Sequence, residues 1–296
     1  MKQSHWMTFG LVFVLSQSAF ARFLPTDIKD FLDSPDRIFN MDEKQFNQAI
    51  EEAIAAWKPF AEIHSAKLVG IKKWSSSTVN AQATRNSNKW EVTIFGGLGR
   101  RPEMTLDGLT LVTCHEIGHH FAGYAFYEDQ DEWAASEGES DYFATHVCAQ
   151  ALWGSETAAN AKFRSSVSPT VKAKCDAVWA ETHDQNLCYR IAEAGLSLGK
   201  TLASLTHLPE PDFNKPDPSE VEETFTDHPK AQCRLDTYFN GGLCAVQFDT
   251  TVIPGLKNPA GQNSPDAEEA AFKYSCSSSA GFKAGFRPRC WFKPKR

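Results

Sequence analysis

The sequence predicts an α+β domain, stabilised by disulfides, in which a small antiparallel sheet precedes a helix bearing two histidines one turn apart. Three observations predict it. Short runs of alternating apolar residues fall between positions 67 and 95 and read as strands. The run His115-Glu116-Ile117-Gly118-His119 lies within a largely apolar stretch of helical period. Eight cysteines follow an N-terminal segment that has the pattern of an export signal.

That segment is residues 1–21. Lys2 is its only charged side chain, Phe9 to Leu15 is a short apolar core, and Ala19-Phe20-Ala21 is a small-x-small cleavage site. The apolar run is too short to span a bilayer, and no later stretch approaches 18 apolar residues, so no transmembrane segment is expected after its removal. The expected location is the periplasm or the exterior. Residues 22–40 are mixed, with Pro25 and Pro35 as breakers. Met41 to Pro59 reads as a helix capped by Asp42, with Phe46, Ile50, Ile54 and Trp57 at helical spacing. Three strand-like runs follow, 67–74, 78–84 and 89–95, and the Ser75–Ser77 and Asn86–Asn88 breaks suggest hairpins. In the last run Trp90, Val92 and Ile94 share a face. The glycines of 96–99 fit no phosphate-binding pattern and read as a flexible loop. Thr105 or Asp107 then starts the histidine helix, and 121–132 is a loop rich in aromatics and acids. Trp133 to Trp153 reads as a further helix, and Thr170 to Thr206 as two, broken near His183 and Asp184. Residues 209–218 form a Pro-rich linker or extended loop, and the C-terminal part, with four of the cysteines, reads as irregular.

On a helix, His115 and His119 lie on one face, so both can bind one Zn²⁺, and Glu116 beside them can act as general base. The third ligand should come from the Trp133–Trp153 helix. Glu137 and Asp141 are four residues apart and share a face, whereas Glu139 points roughly 200° around from Glu137. Glu137 can therefore ligate while Asp141 holds an imidazole by its other nitrogen. His120 and His146 lie off the metal face and read as structural.

The formal net charge is −7, and removing residues 1–21 takes one positive charge away and leaves −8. An acidic chain without a basic stripe is a poor nucleic-acid binder. None of the cysteines forms a Cys-x-x-Cys, which argues against a thiolate zinc site. Helical phase places Cys148 near the direction of Glu137, facing the histidine helix, and predicts a Cys114–Cys148 disulfide. Proximity in sequence pairs Cys175 with Cys188, Cys233 with Cys244, and Cys276 with Cys290.

The pattern His115-Glu116-x-x-His119 with Glu137-x-x-x-Asp141 resembles the gluzincin zinc metallopeptidases. Glu137-Gly-Glu-Ser-Asp141-Tyr-Phe-Ala is similar to the ligand helix of the CAAX prenyl protease and HtpX-type peptidases, and Thr226-Asp227-His228-Pro229, followed by Arg234, resembles that family's Thr-His-Pro block with Asp227 inserted. The seventeen residues between His119 and Glu137 are closer in number to thermolysin-like gluzincins. The resemblance covers roughly 105–150 and 225–236. The expected organisation is a zincin-like catalytic core over 22–208 and a Cys-rich extension over 209–296 that packs on the core and contributes to the active site. The resemblance implies zinc ligands His115, His119 and Glu137, base Glu116, Asp141 behind a ligand, and His228 and Arg234 in the cleft. The expected function is an exported zinc endopeptidase that hydrolyses peptide bonds by Glu-assisted attack of a zinc-bound water, with a protein or peptide substrate. The strand over 89–95 is the expected binding edge for an extended substrate. The alternatives are a zinc amidase of cell-envelope substrates and a secreted binding protein with a structural zinc.

Overall fold

The computed structural model describes residues 20–29, 40–127, 133–257 and 262–294. Of the expected targeting segment, residues 1–19 lie outside these, as do 128–132 of the acidic loop. The fold is α+β. Strands β1 (Phe20–Arg22), β5 (Ala81–Asn86), β6 (Lys89–Phe95) and β3 (Lys67–Lys73) form one sheet in the order β1-β5-β6-β3. A two-stranded ribbon pairs β2 (Ile28–Lys29) with β4 (Thr78–Val79).

Two sheet expectations need correction. The Asn86–Asn88 break does make a hairpin, with Asn86 opposite Lys89. The Ser75–Ser77 break does not. The β3 strand instead joins β6 in parallel, Leu68 opposite Trp90, and the chain leaves it for the separate ribbon. Arg100 holds this crossing by donating to the carbonyls of Trp74 and Ser76. As a result β6 is an interior strand with a neighbour on each side and offers no edge to a substrate. The outer edge of β5 is covered by β1, antiparallel, with Arg22 opposite Gln82.

Helix α1 (Glu43–Ile63) begins at an Asp42 capping box with Gln45 and buries Phe46, Ile50, Ile54 and Trp57. It runs past Pro59, where the pattern suggested an end. Ala55, whose carbonyl loses its partner to the proline, is exposed and can be hydrated. Residues 96–99, expected as a flexible loop, form a short buried helix, α2. The bare Gly97 permits this, since a Cβ there would sit 2.4 Å from the Thr78 carbonyl oxygen. Helix α3 (Leu106–Phe121) starts at Thr105, whose hydroxyl accepts from the Gly108 N–H, and is buried on every side from Gly108 onward. It packs against α1, β5 and β6.

The helix expected from Trp133 begins later, at Ser136, whose hydroxyl accepts from the Glu139 N–H. It runs as α4 (Glu137–Phe143), widens into a π-helical stretch (Ala144–Ala149) and ends as α5 (Gln150–Trp153). A short α6 (Thr157–Ala161) precedes α7 (Pro169–Val178) and α8 (Thr182–Thr206). The α7–α8 break therefore comes slightly before His183. Residues 209–218 have no helix or strand. The C-terminal part is less irregular than expected: α9 (Ala231–Gly242) packs on α4 and α8, and α10 (Pro265–Ala271) follows.

All eight cysteines are paired. Cys114–Cys148 and Cys175–Cys188 form as expected, with Cα separations of 5.7 and 5.9 Å. The other two pairings are corrected to Cys233–Cys290 and Cys244–Cys276. Helix α9 is the reason. Cys233 lies in its first turn and Cys244 just beyond its end, which at 1.5 Å per residue puts them about 16 Å apart, far outside disulfide range. Among the described residues no helix is long and apolar enough to cross a membrane.

Candidate metal centre

Helices α3 and α4 meet at Gly118. A Cβ there would lie 3.0 Å from both Cα and carbonyl oxygen of Ser140, so the absence of a side chain sets how closely the second helix approaches the first. That approach brings Glu137 to the histidines. His115 Nε2 and His119 Nε2 are 3.1 Å apart. The two carboxylate oxygens of Glu137 lie 3.4 Å from His115 Nε2 and 3.5 Å from His119 Nε2. A tetrahedral ion with bonds of about 2.0–2.1 Å has ligand-to-ligand edges of about 3.3–3.4 Å, so the three side chains have the spacing of three corners around one Zn²⁺.

Both remaining imidazole nitrogens are occupied. His115 Nδ1–H donates to Asp141 Oδ1 at 2.7 Å. His119 Nδ1–H donates to the Ala135 carbonyl at 2.7 Å, with the Ser140 hydroxyl 3.0 Å away. These bonds fix the tautomer in which each Nε2 lone pair faces the shared point. Asp141 is held in turn by a two-pronged contact from Arg234, Nε to Oδ2 at 2.6 Å and Nη2 to Oδ1 at 2.7 Å.

Glu116 stands apart from this network. One of its oxygens is 4.0 Å from His119 Nε2, farther than either oxygen of Glu137 is from its nearer imidazole nitrogen. Neither oxygen has a hydrogen-bond partner, and the residue is fully buried. Glu137 Oε2 is likewise unpartnered in hydrogen bonds. Unpaired buried carboxylate oxygens are costly, and their convergence with two imidazoles is the donor set a divalent cation would satisfy. Ligand atoms of His115, Glu116 and His119 all lie within 4.8 Å of one another.

The electrostatics separate the two glutamates. Burial raises the Glu116 carboxyl well above the usual carboxylate range, and the nearby His115 only partly opposes this. Burial pushes Glu137 in the same direction, but the positive charges of His228 and His115 prevail and hold it well below that range. The imidazoles diverge too. Burial would lower His115, yet Glu137 and Asp141 outweigh it and raise it to about 9. Burial and the neighbouring His115 lower His119 to about 3.

The two downstream residues also arrive here. His228 Nε2 is 3.5 Å from Glu137 Oε1, and its Nδ1 is paired with Asp227 at 2.5 Å. Arg234 Nη2 is 3.3 Å from Glu137 Oε2. Its guanidinium is buried and committed to Asp141 and to the Phe23 carbonyl. Glu139 points away, as its phase requires, but it is not a solvated acid. It is buried and accepts from Arg287 Nη1 at 2.9 Å. His120 and His146 have structural partners. His120 Nδ1 accepts from Arg85, and His146 Nε2–H donates to the Val246 carbonyl at 2.7 Å.

Tyr127 and Phe23 are site residues that the sequence did not single out. The Tyr127 hydroxyl donates to Glu137 Oε1 at 2.5 Å. The Phe23 ring meets the His115 ring edge-on, with centroids 5.4 Å apart. Tyr127 sits in an acidic, aromatic loop with nothing local to distinguish it from its neighbours. Phe23 lies more than ninety residues from the motif.

Comparison of the chain with protein-family models, with curated proteins and with solved structures found no match.

Proposed function

We propose that this chain is a zinc-dependent metallopeptidase of the gluzincin type, exported to an oxidising compartment. The observation that carries the reading is the convergence of His115 Nε2, His119 Nε2 and the Glu137 carboxylate at ligand spacing, beside a buried Glu116 with no partner of its own. Zn²⁺ held by the three would polarise a scissile carbonyl and acidify a water. Glu116 takes the proton from that water and passes it to the leaving amine. Its raised proton affinity and its unbonded oxygens suit both halves of that task. Asp141 and Arg234 are positioning residues: Arg234 orients Asp141, and Asp141 orients His115. His228, aligned by Asp227, brings a ring nitrogen within 3.5 Å of Glu137 Oε1 and would stabilise the oxyanion. A purely structural zinc needs no base, and an unpaired buried Glu116 beside one would only destabilise the fold. Four disulfides agree with export from a reducing cytosol.

Digestion of a quenched peptide library, with and without a zinc chelator, tests the reading. Cleavage that chelation abolishes and added Zn²⁺ restores is expected. A stoichiometrically zinc-loaded protein that cleaves no peptide would make the site structural or direct it to another class of amide.

A further inference from the structure

We propose that Arg22, Phe23 and Leu24, the first residues left once the expected 1–21 segment is removed, are an intramolecular strap that lies along the sheet edge beside the metal centre and holds the site latent. The inference rests on the peptidase reading above and adds a regulation to it. The strap is built from four observations. First, Arg22 lies opposite Gln82 and the Phe23 N–H donates to the Ala81 carbonyl at 3.1 Å, so the strap runs antiparallel along the outer edge of β5, where an extended peptide would add to the sheet. Second, its backbone takes up the donors that face the metal ligands. The Arg22 carbonyl accepts from His228 Nε2 at 2.7 Å, and the Phe23 carbonyl accepts from Arg234 Nη1 at 2.9 Å. Third, Phe23 closes the site. Its ring lies edge-on against His115 and under the Arg234 guanidinium, 4.6 Å from the ring centroid. Phe23, His115, Glu116, His119, Glu137 and Asp141 are all 0% exposed. Fourth, the strap is clamped beyond Phe23. Asn80 accepts from the Leu24 N–H at 3.0 Å and donates back to the Leu24 carbonyl at 3.3 Å and to Asp27 at 2.9 Å.

A peptide cannot reach Glu116 while this segment is in place. It would need the same edge of β5, the same His228 donor and the space of the Phe23 ring. The strap is one residue paired across to β5, Arg22, and two buried side chains, Phe23 and Leu24, a unit small enough to open locally while the rest of the fold persists. Substrate and strap therefore compete for one strand position. The resting chain is biased toward the closed form, and anything that loosens the strap raises the open fraction.

The test uses the full chain loaded with Zn²⁺. Arg22→Cys with Gln82→Cys places two cysteines directly opposite across β1 and β5, on side chains that are only partly buried, and their disulfide locks the strap shut. Phe23→Ala loosens it. Two quantities are read: the rate at which a chelator removes zinc, and cleavage of a quenched peptide library. The locked protein is expected to lose zinc about tenfold more slowly than the parent and to cleave nothing, with both reversed by brief mild reduction. Phe23→Ala is expected to lose zinc faster and to cleave with kcat/KM raised about tenfold. A locked protein that releases zinc and cleaves at the parent's rates would overturn the strap. Zinc release that follows the lock, with no cleavage in either state, would support the strap and reject the peptidase reading. The lock alone decides should Phe23→Ala fail to fold.

Discussion

Glu116 and Glu137 are chemically identical side chains on facing helices, and their surroundings separate their roles. Glu137 is ringed by His115, His228, Arg234 and Tyr127, and His119 Nε2 also lies 3.5 Å from it. Glu116 has none of these on its oxygens, although leaving a carboxylate unpaired in the interior costs on the order of several kcal/mol. Under the proposed function Glu137→Gln should thus weaken zinc binding and activity together, because the carboxylate would supply both charge and ligand. Glu139→Gln should leave zinc content unchanged and act on stability only, since its partner is Arg287 rather than the metal group. Metal analysis of the two purified variants checks this, and the reverse pattern would reassign the ligand. A second residue-scale expectation concerns acid. Burial lowers His146 to about 4, while in an unfolded chain it would titrate near 6.5. The unfolded state then binds the extra proton as pH falls between those values, so stability is lost across that window and levels off below it. The loss amounts to at most about 3 kcal/mol. His146→Gln, whose amide can still donate to Val246, should flatten the fall in Tm between pH 6.5 and 4 relative to the parent. An unchanged slope would show that other groups set it.

At the scale of elements, the centre is a contact between two helices. Gly118 lets α4 approach α3, and Cys114–Cys148 fastens the same pair farther along. Gly118→Ala puts a methyl carbon at 3.0 Å from the backbone of Ser140, and relieving it must push α4 outward. The expected result is a loss of about 1–3 kcal/mol in stability, together with weaker zinc retention against a chelator. A variant as stable as the parent, with unchanged retention, would show that the closeness is incidental. This contact was partly legible in the sequence. The i, i+4 spacing gave His115 with His119 and Glu137 with Asp141, and phase pointed Glu139 elsewhere. The same phase pointed Cys148 at Cys114, and that pair forms even though a π-helical stretch, which straight-helix phase does not foresee, intervenes. Gly118 itself was readable as a small residue in the motif, but what it approaches was not.

Across the whole molecule, what the sequence concealed is long-range. The parallel placement of β3 depends on a crossing held by Arg100, and no local pattern distinguishes it from a hairpin. Helix α9 was hidden in a stretch dominated by Gly, Ser and Pro signals, so the cysteines around it were paired by nearness and mispaired. His228 and Arg234 were reached through resemblance alone. In the structure α9 carries Arg234 to Asp141, and Cys233–Cys290 ties that helix to the C-terminal segment. The N-terminal strap was invisible, since an edge strand of three residues has no periodicity to detect.

The central claim is that His115, His119 and Glu137 hold one Zn²⁺ for a reaction in which Glu116 moves the proton. The most direct measurement is zinc content and peptide turnover of Glu116→Gln, taken side by side on the same preparation. Near-stoichiometric zinc with turnover lowered by about two to four orders of magnitude is the expected result. Near-normal turnover, or loss of zinc from this variant, would contradict it.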